Sequence, residues 1–197
     1  MDFSKLISQR RSIYNLGSQI PLSQQEIISL VENGLKQCPS AFNSQPGRIV
    51  LLFGKHHQQL CRLTSECLKE IIAPEQFSKT QEKITSFANA AGTVLFFIDD
   101  DVTSELKNKY PAYAANFPLW AEQSEGMLQY IIWSLFAEQE IGASLQHYNP
   151  LIDKKVHEAF NVPLNWRLSA EMPFGNIISP AEEKSFIPIE KRLKIFA

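Results

Sequence analysis

Residues 124–150, SEGMLQYIIWSLFAEQEIGASLQHYNP, decide the fold of this chain. The first part, Ser124 to Gln139, is apolar almost all round, because large apolar side chains fall on every helical face. A helix of this kind is buried on most of its sides, so we predict that it lies at the centre of the domain or of a subunit interface. Gly142 ends the helix, and Ala143 to Tyr148 is predicted to be the strand or loop that follows.

Amphipathic segments on both sides of this stretch predict further helices. The clearest start is at Ser23, because Ser23 and Glu26 form a capping box before apolar residues at helical spacing. Pro74 can open another helix, since proline is tolerated in the first helical turn. The other predicted helices are Asp2 to Gln9, Pro150 to Phe160, and Gln58 to Ile72 with Leu60, Leu63, Cys67, Leu68 and Ile71 facing inward.

Apolar runs rich in β-branched and aromatic residues predict the strands. They are Arg48 to Gly54, Thr93 to Ile98 and Arg167 to Met172. With the segment after Gly142 this makes about four short strands, and helices predominate. Helices and strands do not alternate regularly, so the predicted fold class is α+β.

Length and composition indicate an ordinary globular protein. The 197 residues, 44% hydrophobic and 20% charged, fit a single domain over residues 1–197 with a full core. The formal net charge of −2 provides neither a basic surface for nucleic acid nor a strong attraction to an anionic membrane. The N-terminal residue order is wrong for a secretory signal and no apolar run is long enough to span a membrane, so we expect a cytoplasmic protein.

Several common kinds of site are disfavoured. The three cysteines and four histidines show no metal-binding spacing, so we expect reduced thiols and no metal. Asp99 to Asp101 follows a predicted strand and is interpreted as a solvated loop rather than as metal ligands. The glycine-rich dinucleotide motif, the Walker loop and the nucleophile elbow are absent from the sequence, which disfavours a Rossmann dehydrogenase and a P-loop enzyme.

Two polar segments could bind a phosphorylated ligand. A phosphate could be bound through charge-assisted hydrogen bonds by Arg10, Arg11 and Ser12. Alternatively, the two arginines are simply solvated at a helix C-terminus, where the helix dipole stabilises positive charge without a ligand. The segment PSAFNSQP, residues 39–46, carries Ser40, Asn43 and Gln45 between two prolines. These side chains suit a polar ring edge or a ribityl chain, and they are equally common in plain loops.

Two further segments complete the set. The backbone of Ala143 to Pro150 could face a flavin, although its histidine could equally serve as a structural hydrogen-bond donor. The tail from Phe186 to Ala197 alternates apolar and basic residues and contains Lys191 and Arg192. It is predicted either to be solvated or to wrap a partner.

The order of these segments along the chain resembles the nitroreductase family over essentially the whole length. The strings Gly142 to Pro150 and Met172-Pro-Phe-Gly175 resemble one branch in particular. That branch includes fungal proteins named for fatty-acid repression and copper-induced bacterial nitroreductases. The resemblance implies an α+β fold with a central, mainly antiparallel sheet surrounded by helices, a homodimer, and FMN at the subunit interface.

The resemblance also assigns roles to residues. It implies that Arg10, Arg11 and Ser12 hold the phosphate and ribityl region and that Arg192, with Lys191, adds a C-terminal phosphate contact. It implies that Ser40, Asn43 and Gln45 reach the flavin from the other subunit and that Leu145, Gln146 and His147 face its N5 edge. Tyr14 stands where many members carry a basic residue, so a strong NADP preference is not implied, and Lys83 is the candidate cation at the flavin edge.

The implied function is electron transfer from NAD(P)H to nitroaromatic or quinone acceptors by a ping-pong mechanism, because the chain lacks a separate nucleotide-binding domain. The aromatic stretch Tyr110 to Trp120, with Phe42, either flanks the reacting face or is a surface loop pinned by its own rings. One alternative is a flavin-binding regulatory protein in fatty-acid or stress response with little turnover. Another is a dimeric scaffold without flavin.

Overall fold

The computed structural model describes residues 2–196, and Ala197, at the end of the predicted tail, lies outside them. The helices are α1 Phe3–Gln9, α2 Gln24–Gln37, α3 Gly54–Ile71, α4 Pro74–Ala88, α5 Asp100–Lys109, α6 Phe117–Glu138 and α7 Asp153–Phe160. The strands are β1 Leu16–Gly17, β2 Gly47–Phe53, β3 Gly92–Asp99, β4 Ile141–Ala143 and β5 Trp166–Ile177. Short 3₁₀ turns occur at Ala41–Asn43, Pro111–Tyr113 and Ile189–Lys191.

The strands form a single five-stranded sheet in the order β1-β5-β3-β2, with β4 also paired to β5. Every named pair of strands is antiparallel. β5 is the longest strand and pairs with β1, β3 and β4. Its Gly175 lets β1 approach closely, since a Cβ there would lie 2.0 Å from the Gly17 carbonyl oxygen. The predicted α+β class with a mainly antiparallel sheet is confirmed, with five strands instead of four.

Helices cover both faces of the sheet, and the alternation of side chains along β3 divides the core in two. Val94 and Phe96 pack with Ile132 and Phe136 of α6 on one face. Leu95 and Phe97 pack on the other face with residues of α3 and α7. Successive strand residues point to opposite faces, so a strand covered on both sides is apolar throughout. The apolar run predicted as the strongest strand is therefore the centre of the molecule.

The predicted central helix is longer than the sequence indicated. α6 begins at Phe117 with Pro118 in its first turn, rather than at Ser124, because proline fits that position. Met127 and Tyr130 remain exposed on it, so the described chain buries only part of its circumference. None of the helices within residues 2–196 has the length and apolarity that crossing a membrane requires.

Several local predictions were wrong. Gly142 does not end the central helix, because α6 ends at Glu138 and Gly142 lies in β4. Asp99 to Asp101 is not a solvated loop, because Asp99 is buried, accepts from Arg48 and Asn165, and caps the start of α5. Ile71 does not face inward, since its side chain is 65% exposed in the last turn of α3. The last short helix begins at Asp153 rather than Pro150, because a turn intervenes.

Candidate functional site

The segment after α1 lies beside the segment after β4. Helix α1 ends at Gln9, the backbone of Arg10 is extended, and the chain then runs along the edge of the sheet. Ser12 forms an isolated parallel bridge with Ala143, and the Ile13 amide donates to the Ala143 carbonyl at 2.9 Å. Two motifs that are far apart in sequence are therefore adjacent in the fold.

A cavity of about 580 Å³ opens at this junction, and its lining includes all of Arg10, Arg11 and Ser12. Residues 179–184 also line the cavity, and the Glu182 carbonyl accepts a hydrogen bond from Arg11. Tyr14 and Asn15 complete the lining. The structure thus brings the predicted phosphate-binding residues to the wall of one cavity.

The Arg10 guanidinium contains two unpartnered donors beside this cavity. Its Nε and Nη1 atoms are buried and form no hydrogen bond with any group in residues 2–196. Burial lowers the pKa of Arg10, and the neighbouring Arg11 charge acts in the same direction. Buried donors normally have partners, and an anion would supply charge-assisted ones. These residues therefore fit a phosphate group.

Lys83 of α4 lies near the same cavity. Its Nζ is 5.8 Å from the centroid of the Tyr14 ring and 5.6 Å from that of Phe87. Burial lowers the pKa of Lys83. Lys83 therefore places a positive charge beside Tyr14 from a different element.

Lys191 and Arg192 are not brought to this cavity within the chain. They lie in and just after the 3₁₀ turn of the C-terminal tail, where both are exposed, and neither belongs to the cavity lining. The segment of residues 178–196, which contains the described part of the tail, exposes several apolar side chains, namely Ile178, Phe186, Ile187, Ile189, Leu193, Ile195 and Phe196.

The loop with Ser40, Asn43 and Gln45 is held by its own side chains. Ser40 Oγ accepts from the Gln45 amide at 2.8 Å, and Gln45 Nε2 donates to the Asn43 carbonyl at 3.2 Å. Phe42, Asn43 and Gln45 all have positive φ, a conformation that is uncommon outside glycine. Gln45 lines a separate groove of about 340 Å³, not the cavity of Arg10. In one chain, therefore, these residues do not join the phosphate-binding set.

Aromatic rings surround the tip of this loop. The Phe42 ring centroid lies 4.9 Å from that of Tyr110, 5.7 Å from that of Phe117 and 6.2 Å from that of Trp120. Phe42 is 55% exposed and Tyr113, 6.4 Å from it, is 49% exposed. The aromatic stretch predicted from the sequence therefore packs on this loop and leaves a partly exposed aromatic surface.

Glu171 of β5 holds the segment of Leu145, Gln146 and His147 through hydrogen bonds. The backbones of Gln146 and Glu171 exchange hydrogen bonds of 2.7 and 3.0 Å, and Glu171 Oε2 accepts from the Tyr148 amide at 3.0 Å. Gln146 turns its side chain inward to Ser144 Oγ, whereas His147 is exposed. Burial raises the pKa of Glu171 to about 8. Gln146 is therefore an anchor of this segment, and sequence reasoning missed Glu171 because it lies in an ordinary strand.

A comparison with protein families shows to which family the chain belongs. The model of the Nitroreductase family matches residues 7–176, which include the first three polar segments. The chain belongs to the nitroreductase family. The matched range ends before the tail, so the two tail residues, Lys191 and Arg192, lie outside it.

Relatives of this nitroreductase-family chain come from a fungus and from bacteria. The Saccharomyces cerevisiae protein HBN1, named as a nitroreductase, is 35% identical over 187 residues, which cover 94% of this chain and 93% of that protein. The nitroreductase CinD from Lactococcus lactis, solved in complex with chloramphenicol, is 36% identical with a TM-score of 0.92 and 100% coverage of both chains. A nitroreductase from Desulfitobacterium hafniense with bound FMN shares the fold, with a TM-score of 0.71 at 15% identity over 98% of this chain and 97% of that one. The predicted family is confirmed.

Proposed function

We propose that this protein is a cytoplasmic, FMN-dependent oxidoreductase, folded as one domain over residues 1–197, that passes electrons from NAD(P)H to nitroaromatic or quinone acceptors. The observation that carries the proposal is Arg10, half-buried at a cavity wall, with two buried guanidinium nitrogens that lack a hydrogen-bond partner within residues 2–196. Family membership and the FMN in a solved structure of the same fold support the same cofactor.

In this proposal each motif has one part in holding FMN. Arg10, Arg11 and Ser12 bind the single phosphate, and the absence of a dinucleotide motif disfavours FAD. Leu145 and His147 would lie beside the ring system, with Gln146 holding their backbone. Lys83 would provide a positive charge near the ring edge, which would favour the reduced, negatively charged flavin. Lys191 and Arg192 add phosphate contacts from the tail of one of the two subunits.

The proposed assembly is a homodimer in which each subunit completes the site of the other. Ser40, Asn43 and Gln45 would then reach the partner's flavin, which explains why their loop is separate from the Arg10 cavity in one chain. The exposed apolar residues of α6 and of the tail, among them Met127, Tyr130 and Phe186, would be covered in the dimer. Exposed apolar patches of this kind mark interaction surfaces.

When bound, FMN would supply the redox chemistry between NAD(P)H and the acceptor. The chain's own residues bind and orient it, and no side chain is required as a general acid or base. The aromatic surface around Phe42 suits flat acceptor rings, since offset stacking favours such contacts. CinD was solved with chloramphenicol, a nitroaromatic compound, which supports acceptors of this class.

The test begins with an absorbance spectrum of the purified protein and chromatography of the heat-released cofactor against FMN and FAD standards. We expect FMN, and recovery of FAD alone would contradict the proposal. Steady-state rates with NADH or NADPH and 4-nitrophenol or a quinone, both varied, should give parallel double-reciprocal lines. Intersecting lines would reject the ping-pong mechanism, and bound flavin without NAD(P)H oxidation would favour the regulatory alternative.

A further inference from the structure

Trp133, in the middle of α6, contacts two residues of the segments that meet beside the cavity, Arg10 and Ala143. The Arg10 Cζ atom lies 4.1 Å from the centroid of the Trp133 ring. The indole Nε1 donates to the Ala143 carbonyl at 3.1 Å. The indole is therefore fixed by a hydrogen bond on one edge while its face supports a guanidinium.

The same carbonyl oxygen also holds the phosphate-binding segment. Ala143 O accepts from the Ile13 amide at 2.9 Å, and Ser12 is bridged to Ala143. The Trp133 indole, which contacts Arg10, and the backbone next to Ser12 thus both donate a hydrogen bond to the Ala143 carbonyl oxygen in β4. A shift of Trp133 would change the position of Arg10 relative to Ser12, although Trp133 does not line the cavity itself.

Stacking on an aromatic face also controls which donors of an arginine stay free. The guanidinium presents its N–H groups in its own plane, so a ring against its face leaves the donors at its edge available. Arg10 Nε and Nη1 are buried beside the ring and have no hydrogen-bond partner within residues 2–196. A bidentate phosphate contact requires donors arranged in this way. Tyr130, one turn earlier on α6, is further from Arg10, at 5.9 Å.

We propose that Trp133 is a positioning residue that orients the Arg10 guanidinium for the cofactor phosphate, an inference that rests on the function proposed above. It acts through Arg10 and makes no contact with the redox-active ring. Its contribution should therefore depend on the phosphate of the ligand. Riboflavin, which is FMN without the phosphate, is the probe that isolates it.

The experiment measures the dissociation constants of FMN and riboflavin for the flavin-stripped protein by fluorescence quenching. For Trp133→Leu we expect FMN to bind about tenfold more weakly and riboflavin to change by less than about twofold. Trp133→Phe keeps an aromatic face and should lose about threefold in FMN affinity. If Trp133→Leu does not fold, Trp133→Met replaces it.

Two comparisons make the result specific. Trp166→Leu is the matched control, because Trp166 is also half-buried and stacks with an arginine, Arg48, at 5.7 Å. It should leave the ratio of the two affinities unchanged. In an Arg10→Met background, Trp133→Leu should reduce FMN affinity by less than about twofold, since the interaction it supports is already absent.

The outcomes separate this inference from the proposed function. Equal weakening of FMN and riboflavin, or no change in either, would overturn the role of Trp133 while leaving the proposed function intact. A wild-type protein that binds FMN no better than riboflavin would refute the phosphate site itself, and with it both proposals.

Discussion

At the scale of single residues, several buried polar side-chain atoms form no hydrogen bond within the described residues. Arg10 Nε and Nη1, both carboxylate oxygens of Glu125, and one oxygen of Glu171 have no hydrogen-bond partner within residues 2–196. Such groups are costly in a folded protein and are usually retained for a reason. For Arg10 the reason we propose is the phosphate, which leads to the first prediction.

Replacing Arg10 or Ser12 with alanine should empty the flavin site without unfolding the protein. Each change removes one charge-assisted contact, worth about 1.5–3 kcal/mol, or about one to two decades of FMN affinity. The measurement is the ratio of flavin to protein absorbance after purification, with circular dichroism to check folding. Arg62→Ala, on the exposed face of α3, is the control and should retain full flavin. Normal occupancy in Arg10→Ala would contradict the assignment.

The two buried glutamates predict how stability depends on pH. Burial raises the pKa of Glu125 and of Glu171 from the ordinary value of 4.5 to about 8. Between these values the folded protein keeps protons that the unfolded chain has released, so the free energy of unfolding should fall as pH rises. The slope is at most about 1.4 kcal/mol per pH unit for each group.

Chemical denaturation from pH 5 to pH 8 measures this dependence. The double variant Glu125→Gln and Glu171→Gln should show a flatter profile, because neither amide titrates. An unchanged slope in the double variant would show that other groups cause the dependence. Glu66→Gln is the control, since Glu66 is exposed on α3, away from both buried glutamates.

At the scale of elements, every residue of β3 is buried, and successive side chains pack against helices on opposite faces of the sheet. Substitutions in β3 should therefore cost more stability than substitutions at exposed helix positions. Phe96 is 0% exposed and packs under α6, whereas Ile71, predicted to face inward, is 65% exposed. Phe96→Ala should therefore reduce the free energy of unfolding by about 3–5 kcal/mol. Ile71→Ala should change it by less than about 0.5 kcal/mol. Denaturant titration of both variants makes the comparison, and similar losses would contradict the packing described.

At the scale of the whole molecule, the surface predicts a stable dimer. The tail exposes Phe186 and Phe196 by 75% and 94%, and α6 exposes Met127 and Tyr130. Hydrophobic dimer interfaces often bury more than about 2,000 Å². Sedimentation should give a dimer of the 22.4 kDa chain, and removal of residues 185–197 should weaken it and lower flavin occupancy. A flavin-loaded monomer would contradict the shared site.

The sequence alone determined features that depend on neighbouring residues. The capping box at Ser23, the proline that opens α4 and the apolar run of β3 were all predicted correctly, because caps, turns and side-chain periodicity act locally. The family and the fold class followed from the order of short motifs. The Arg-Arg-Ser motif also indicated a phosphate site, although not what would hold it in place.

Tertiary structure alone decided the contacts between distant segments. The bridge from Ser12 to Ala143, the indole of Trp133 under Arg10 and the clamp of Glu171 on Tyr148 each join residues from different elements. Asp99 was predicted to be solvated, because nothing local reveals that Arg48 and Asn165 converge on it. Such pairings depend on how the chain packs around the sheet, and packing depends on every buried residue together, so a local pattern cannot specify them.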